Sequence, residues 1–587
     1  MMPISTWLRL LGTGWLAAVA LLGAALPPVG PFTDLTEADF TDSRSFGGGD
    51  RLVFASYFYW YDVYSGAHLV NPDGSDALTT HPPTLTGFSY RSKAWHRGQL
   101  EDMEQAGIDV VLPVYWGEPS QRIPDRPVEQ QPWSYSGLLP LVAARDELVA
   151  AGRNPPRIGL FYDTSTLEFN AAGRRVDLTT VEGREWFYHS IRDFFSLIPP
   201  RHWAMIEGRP VVFLYSASFA VAHDQRCITD LREWFARDFG GRTPFVVREI
   251  SWAVTAEDTY AWGGALGLKN PGLGSLGPGY DHSAVPGREP LVVPRENGAF
   301  FERNWLRFLS RPSNRVIIET WNEYHEGTDI ARSREYGRQY IDLNRKFVDL
   351  FKAGYQPPRP EGPFTGARLT RVELGTTNRE AGLVQFESAD GVTTAGRLGG
   401  WDCRIVAPTS NPGRYVYVRI DDSFKWAERM SVSVVVDYFD AAPGWFQLQF
   451  DGSDTNAPFQ GAYTAAPERV VLSGSRIWKT AVFHLEGARF QGMQNGGADF
   501  RLEFSGEGHG LRQIQVIRPG LQALTHSDRT GTTLRVFGDP GRSYWIDVAD
   551  RLGLWTVLRQ VRLDEVTETV EDSGARDAGL RWYRLRP

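Results

Sequence analysis

The sequence predicts an α/β fold: a (β/α)8 TIM barrel followed by an all-β sandwich and a small C-terminal all-β module. Three observations carry this reading. Between residues 50 and 355, short apolar, β-branched runs alternate with segments of helical period, giving eight strand-like runs. The stretch Pro357-Pro358-Arg359-Pro360-Glu361-Gly362-Pro363 then reads as a linker. Beyond it the apolar pattern changes to period two, with turn residues between the runs. A chain of 587 residues also exceeds what one hydrophobic core organises.

Taken in order, Leu52-Val53-Phe54-Ala55-Ser56-Tyr57 is the first strand. A helix from Trp95 to Ala106 follows, stopped by Gly107, and the apolar run from Ile108 to Trp116 reads as a strand buried on both faces. The alternation continues with a helix from Leu138 to Ala151, a strand from Arg157 to Asp163, a helix from Thr180 to Leu197 and a strand from Pro210 to Tyr215. A helix over 226–238 leads to the strand Pro244 to Glu249; weaker strands are expected near Tyr260-Ala261-Trp262 and just before Pro278-Gly279-Tyr280. The eighth strand is Val316 to Thr320, and a helix from Ser333 to Ala353 closes the set. A doubly wound open sheet competes, but no Gly-x-Gly-x-x-Gly turn follows the first strand. Runs such as Tyr415 to Ile420, Ser431 to Val436 and Trp445 to Phe450 place the sandwich at 365–518, and the module occupies 522–587.

Composition narrows the function classes. A charged fraction of 22% with 42% apolar residues excludes general disorder, and a net charge of -8 without any Lys/Arg-rich block argues against nucleic acid. Aromatic residues reach 13%, which favours carbohydrate only slightly because cores also use them. Arg9, an apolar segment from Leu10 to Leu26 and then Pro27-Pro28 match a secretory signal over 1–26, with an uncleaved anchor as the alternative. A secreted, periplasmic or cell-surface protein is therefore expected. Cys227 and Cys403 fall in different domains and supply neither a disulfide framework nor a zinc spacing.

The chemistry concentrates in Ile317-Ile318-Glu319-Thr320-Trp321-Asn322-Glu323-Tyr324-His325-Glu326-Gly327-Thr328. Two carboxylates three residues apart, directly after the eighth strand, stand where a barrel places its catalytic groups. Cleaving a glycosidic bond needs one group to protonate the departing oxygen and a second to act on the sugar side, so Glu323 and Glu326 are the catalytic candidates. The bland alternative is that Glu323 caps a helix or pairs with an Arg while Glu326 is solvated. Glu319 lies inside the strand and is read as structural, paired to an Arg. The other strand ends offer substrate-binding candidates: Tyr57, Tyr59 and Trp60, then Tyr115 and Trp116, then Asp163, Glu249 and Trp262. Tyr280, His282, Trp321, Asn322, Tyr324 and His325 complete the set. Asp163 and Glu249 are also alternative partners for Glu323. His81, His96, Asp281 and His282 match no ligand spacing, so no metal and no cofactor are expected. In the sandwich, Trp401, Trp426, Trp445 and Trp478 are read as core residues, glycan stacking being the alternative.

The segment Trp321 to Thr328 resembles the strand-eight motif of glycoside hydrolase family 99, the endo-α-mannosidase-like enzymes, and of related bacterial glycosidase-like domains. Tyr57-Phe58-Tyr59-Trp60-Tyr61, Ala106 to Val111 with Trp116-Gly117, Gly208-Arg209-Pro210-Val211 and Pro278-Gly279-Tyr280-Asp281 support the resemblance in order over residues 50–355. It implies a retaining mechanism through a 1,2-anhydro sugar, with Glu323 deprotonating the sugar's own 2-hydroxyl and Glu326 acting as acid and then base. The segment Val63 to Arg91 departs from the mannosidases, so mannoside specificity does not carry over. The expected partner is a polysaccharide or glycan, acted on by a monomer; a non-catalytic carbohydrate-binding protein on a barrel scaffold is the alternative.

Overall fold

A computed structural model describes residues 26–586 except 289–290, 389, 410–412, 427–428, 519–521, 529–530, 538–541, 552, 565–566 and 578–580. The segment read as an export signal therefore lies outside the described residues, apart from its last residue. Eight parallel strands form the barrel: β1 (Leu52–Tyr57), β2 (Val110–Tyr115), β3 (Leu160–Tyr162), β4 (Arg209–Leu214), β5 (Phe245–Glu249), β6 (Asp258–Tyr260), β7 (Gly274–Leu276) and β8 (Arg315–Ile318). They pair in the order β6-β5-β4-β3-β2-β1-β8-β7, so the sheet closes except between β6 and β7. One backbone bond, Leu273 N–H to Thr259 C=O at 2.8 Å, bridges that seam.

Among the described residues, six α-helices of three turns or more pack outside the strands: α1 (Lys93–Ala106), α2 (Leu138–Ala150), α3 (Val181–Ser196), α4 (Arg226–Asp238), α5 (Ala299–Ser310) and α6 (Gln339–Ala353). Their limits follow local chemistry. The Ser92 hydroxyl accepts from Trp95 N–H at the start of α1, and Gly107 closes the same helix at φ 83°, a left-handed conformation that suits a residue without Cβ. The regular alternation fails in one place: β5, β6 and β7 follow each other without α-helices, only a 3-10 turn, Gly264–Leu266, standing between β6 and β7. β6 and β7 are also short, at three residues each, and this leaves the seam side to be covered by other parts of the chain. α6 starts at Gln339, several residues after the Ser333 expected from the sequence.

Beyond the linker, a seven-stranded and a five-stranded antiparallel sheet face each other over a core that includes Val434, Phe446, Phe483, Leu502 and Ile514. Two three-stranded sheets make the terminal module around Leu534, Ile546 and Val561. The sandwich docks on the helix-poor side of the barrel. Arg307 of α5 pairs with Asp422 at 2.9 Å, and the buried Lys269 Nζ donates to the carbonyls of Met493 and Gln494. Burial brings Lys269 down to about 8. Cys227 and Cys403 are buried and unbridged, one in the barrel and one in the sandwich.

Candidate active site

A cavity of about 610 Å³ opens at the C-terminal ends of the barrel strands. Phe58 and Trp60 after β1, Phe161 and Asp163 at β3, Tyr215 after β4 and Trp262 after β6 line it, and β8 with its loop supplies Glu319, Glu323, His325 and Glu326.

The β8 loop is fixed by its own polar groups. Asn322 forms a two-way clamp on β1's continuation: its Oδ1 accepts from Phe58 N–H and its Nδ2 donates to Phe58 C=O, both at 2.8 Å. Tyr61 Oη accepts from Tyr324 N–H at 3.0 Å and donates to Asn322 C=O at 3.1 Å. Thr320 Oγ1 accepts from Glu323 N–H at 2.8 Å, which turns the chain directly after the strand. On the far side the buried Arg295 donates to the carbonyls of Gly327 and Asp329 and pairs with the Asp329 carboxylate at 2.8 Å. Two carboxylates of one short loop are thereby held at the cavity wall.

Their surroundings differ. Glu323 is buried, and burial lifts its pKa above the usual carboxylate range against the opposing pull of His325. His325 Nδ1 lies 2.9 Å from Glu323 Oε1, a close ionic contact in which that oxygen accepts no aligned hydrogen bond. His325 Nε2 lies 2.8 Å from the His68 carbonyl, which can only accept, so Nε2 carries hydrogen and Nδ1 must share any proton it holds with Glu323. Burial lowers the His325 pKa, but Glu323 more than offsets this and the net direction is up. The His68 ring stacks on Trp60 with centroids 4.4 Å apart, and burial brings it down to about 4, a neutral imidazole. Glu326 sits nearer the entrance, in an ion pair with Arg288, whose guanidinium also lies 3.4 Å from Tyr280 Oη.

Two further carboxyls face the same space. Glu319 accepts from the N–H groups of Gly263 and Gly264, each at 2.8 Å, and from the Ser275 hydroxyl. Burial raises it to about 7, the donors opposing that rise. It is thus held by backbone and hydroxyl donors, not by the Arg expected from sequence, and it faces the cavity. Asp163 is also raised by burial and accepts from Trp116 Nε1 at 2.5 Å and from Ser165 N–H at 3.0 Å.

Of the residues singled out from sequence, Trp60, Asp163, Trp262, Tyr280, Glu323, His325 and Glu326 share the cavity wall. The others do not line it, each for an identifiable reason. Tyr57 points between barrel and helix, its Oη 2.9 Å from His96 Nδ1, and Tyr59 donates to Ser134 C=O. Tyr115 packs on Tyr135 and Phe194. Trp116 acts one step back, through Asp163. Glu249 accepts from Ser251 N–H and Oγ, closing its own turn, so it is no partner for Glu323. Trp321 donates to Gln99 of α1, Asn322 clamps Phe58, and Tyr324 donates to Arg332 C=O. His282 lies against Tyr280, Nδ1 to Oη at 3.0 Å. His81 pairs with Asp76 and Glu335, far in partnership from His96, so the histidines considered for a metal do not converge.

Sequence reasoning missed His68, Tyr215 and Arg288. His68 and Arg288 lie in irregular segments with no periodicity to orient them; Tyr215 follows β4 immediately, and the strand-end rule applied to the other strands finds it.

A family model described as "Domain of unknown function (DUF5010)" matches residues 67–359. No curated protein matches the chain. Among solved structures, the GH99 endo-alpha-mannosidase from Bacteroides thetaiotaomicron is 16% identical, with 52% of this chain and 98% of that chain covered and a TM-score of 0.38. An alpha-L-fucosidase from Vibrio sp. strain EJY3 gives 8% identity, 82% and 98% coverage and a TM-score of 0.34. The C-terminal CBM6 of LamC from Zobellia galactanivorans matches 26% of this chain over 99% of its own, at 11% identity and a TM-score of 0.16.

Proposed function

We propose that the barrel is a glycoside hydrolase acting on O-glycosidic bonds of a polysaccharide or glycan, exported from the cell. One observation carries the reading: Glu323 and Glu326, three residues apart after β8, face one aromatic-walled cavity but stand in different environments. Two carboxyls with distinct settings are what an acid and a base working on one bond require.

Glu323 takes the base role. Its buried Oε1 has no aligned donor and suits a substrate hydroxyl, and His325 holds the proton that Glu323 must be without. In the retaining scheme, that oxygen removes the proton of the sugar's 2-hydroxyl as the latter closes on the anomeric carbon. Glu326, at the entrance, delivers a proton to the departing oxygen and later takes one from the water that attacks the anomeric carbon, while Glu323 returns its proton to the 2-oxygen as the anhydro ring opens. To deliver it, Glu326 has to release Arg288, whose side chain is 47% exposed and has room to swing outward. Trp60, Trp262 and Tyr215 offer ring faces for the sugar's C–H faces.

Incubating the protein with a panel of α-linked glycans, and following products by mass, tests this. Turnover that disappears in both Glu323→Gln and Glu326→Gln is expected. Tight binding without cleavage across the panel would instead establish a carbohydrate-binding protein on a barrel scaffold.

A further inference from the structure

A second cavity, of about 900 Å³, lies away from the barrel, between the outer face of the seven-stranded sheet and the terminal module. Its floor comes from alternate residues of the sheet: Arg371 and Glu373 flank the core residue Val372, and Gln513 and Gln515 flank Ile514. Asp437 lies on the neighbouring strand Met430–Phe439, and Thr533 and Arg535 of the module form the opposite wall. At the mouth stands Trp401, 47% exposed, with the Arg512 guanidinium 4.8 Å from its ring centroid.

The charges here are mismatched in number and loosely engaged. Arg371, Arg379, Arg397, Arg512 and Arg535 face three carboxylates, Glu373, Asp402 and Asp437. Arg371 and Arg379 lie 3.8 Å from Glu373, Arg397 lies 3.9 Å from Asp402, and Arg512 and Arg535 lie 3.4 and 3.8 Å from Asp437. None of these reaches the 2.7–2.9 Å of a charge-assisted hydrogen bond. Part of the donor capacity is used locally: Arg397 donates to Gly400 C=O at 2.8 Å and Arg535 to Thr480 Oγ1 at 2.8 Å. What is left is a cleft with excess guanidinium, carboxamides and one half-exposed indole.

We propose that this cleft is a second saccharide-binding site, for a glycan chain carrying carboxylate or sulfate groups. The guanidinium forks match such groups in bidentate geometry, Gln513 and Gln515 suit hydroxyls, and Trp401 supplies a ring face for a sugar at the mouth. The volume falls within the range of small-ligand sites. The inference stands independently of the barrel's chemistry.

The test is calorimetric titration of the full chain, carrying Glu323→Gln so that nothing is turned over, with oligogalacturonate, a sulfated heparin oligosaccharide, neutral manno- and gluco-oligosaccharides, and inorganic sulfate. Binding of either anionic oligosaccharide is expected, at least tenfold tighter than the neutral ones and than sulfate ion. Which of the two binds tells carboxylate from sulfate recognition. Trp401→Ala, and Arg379→Ser combined with Arg397→Ser, should each weaken it at least tenfold with an unchanged melting temperature. Failure of both anionic probes, equal binding of neutral chains or of free sulfate, or affinity unaltered in these variants would each overturn the proposal.

Discussion

The β8 loop and the sandwich cleft are both polar, charged and concave, yet their charges are organised in opposite ways. Around the β8 loop, Arg295 meets Asp329 at 2.8 Å, His325 meets Glu323 at 2.9 Å, and Asn322 closes two bonds of 2.8 Å on Phe58. In the cleft, the ion pairs span 3.4–3.9 Å. Chemistry requires the first arrangement, because groups that move protons must stay fixed while charge shifts between them. Binding tolerates the second, because a ligand can complete contacts that the protein leaves unfinished.

Perturbing the tight side should produce the largest effect. Glu323→Gln keeps the size and one acceptor oxygen but cannot take a proton, so turnover should fall by about 10²–10⁴-fold in steady-state assays, with the melting curve preserved. Arg295→Ala leaves Asp329, fully buried and already raised by that burial, without its cation. A loss of roughly 3–5 kcal/mol in denaturant unfolding is expected.

Glu319 gives a pH-dependent version of the same contrast. Its folded pKa of about 7 lies above the 4.5 of an ordinary glutamate, so its contribution to stability is complete below about 4.5 and is lost as pH rises through about 7. Compared with Glu319→Gln, the wild-type chain should lose about 3 kcal/mol between those limits, read from unfolding curves across pH. A pH-independent difference would show that the carboxyl is not buried as described. A smaller effect is expected from His325→Asn. His325 pulls the Glu323 pKa down, so its removal should move the acidic limb of kcat/KM to higher pH. On the loose side, Arg379→Ala should change stability by no more than ~1 kcal/mol, the range of exposed ion pairs. A loss comparable to that of Arg295→Ala would erase the contrast.

Much of this was legible in the sequence, for physical reasons that also mark where legibility stops. The strands β1 to β5 and β8 announce themselves by predominantly apolar runs, because strands covered on both faces need few polar residues. β6 and β7 are three residues each and lack that signal, and the missing helices around them break the expected alternation. The carboxylates of the β8 loop stood out as a motif. Their partners did not: His68 and Arg288 approach across long irregular segments. Strand ends were also overread as mouth residues, since side chains alternate along a strand and Tyr57 and Tyr115 therefore point toward helices. The tryptophans of the sandwich corrected in the other direction. Trp401 is exposed, and Trp426, Trp445 and Trp478 are only partly covered, so none forms the core that Phe446 and Phe483 build.

We propose above that Glu323 and Glu326 cleave a glycosidic bond in separate roles. The most direct test follows a cleaved glycan from the panel by NMR at early times in the wild-type chain, with Glu323→Gln and Glu326→Gln in parallel. A product whose anomeric configuration is that of the substrate is expected, with no product detectable from either variant over the same early times. Cleavage that persists in both variants would contradict the proposal.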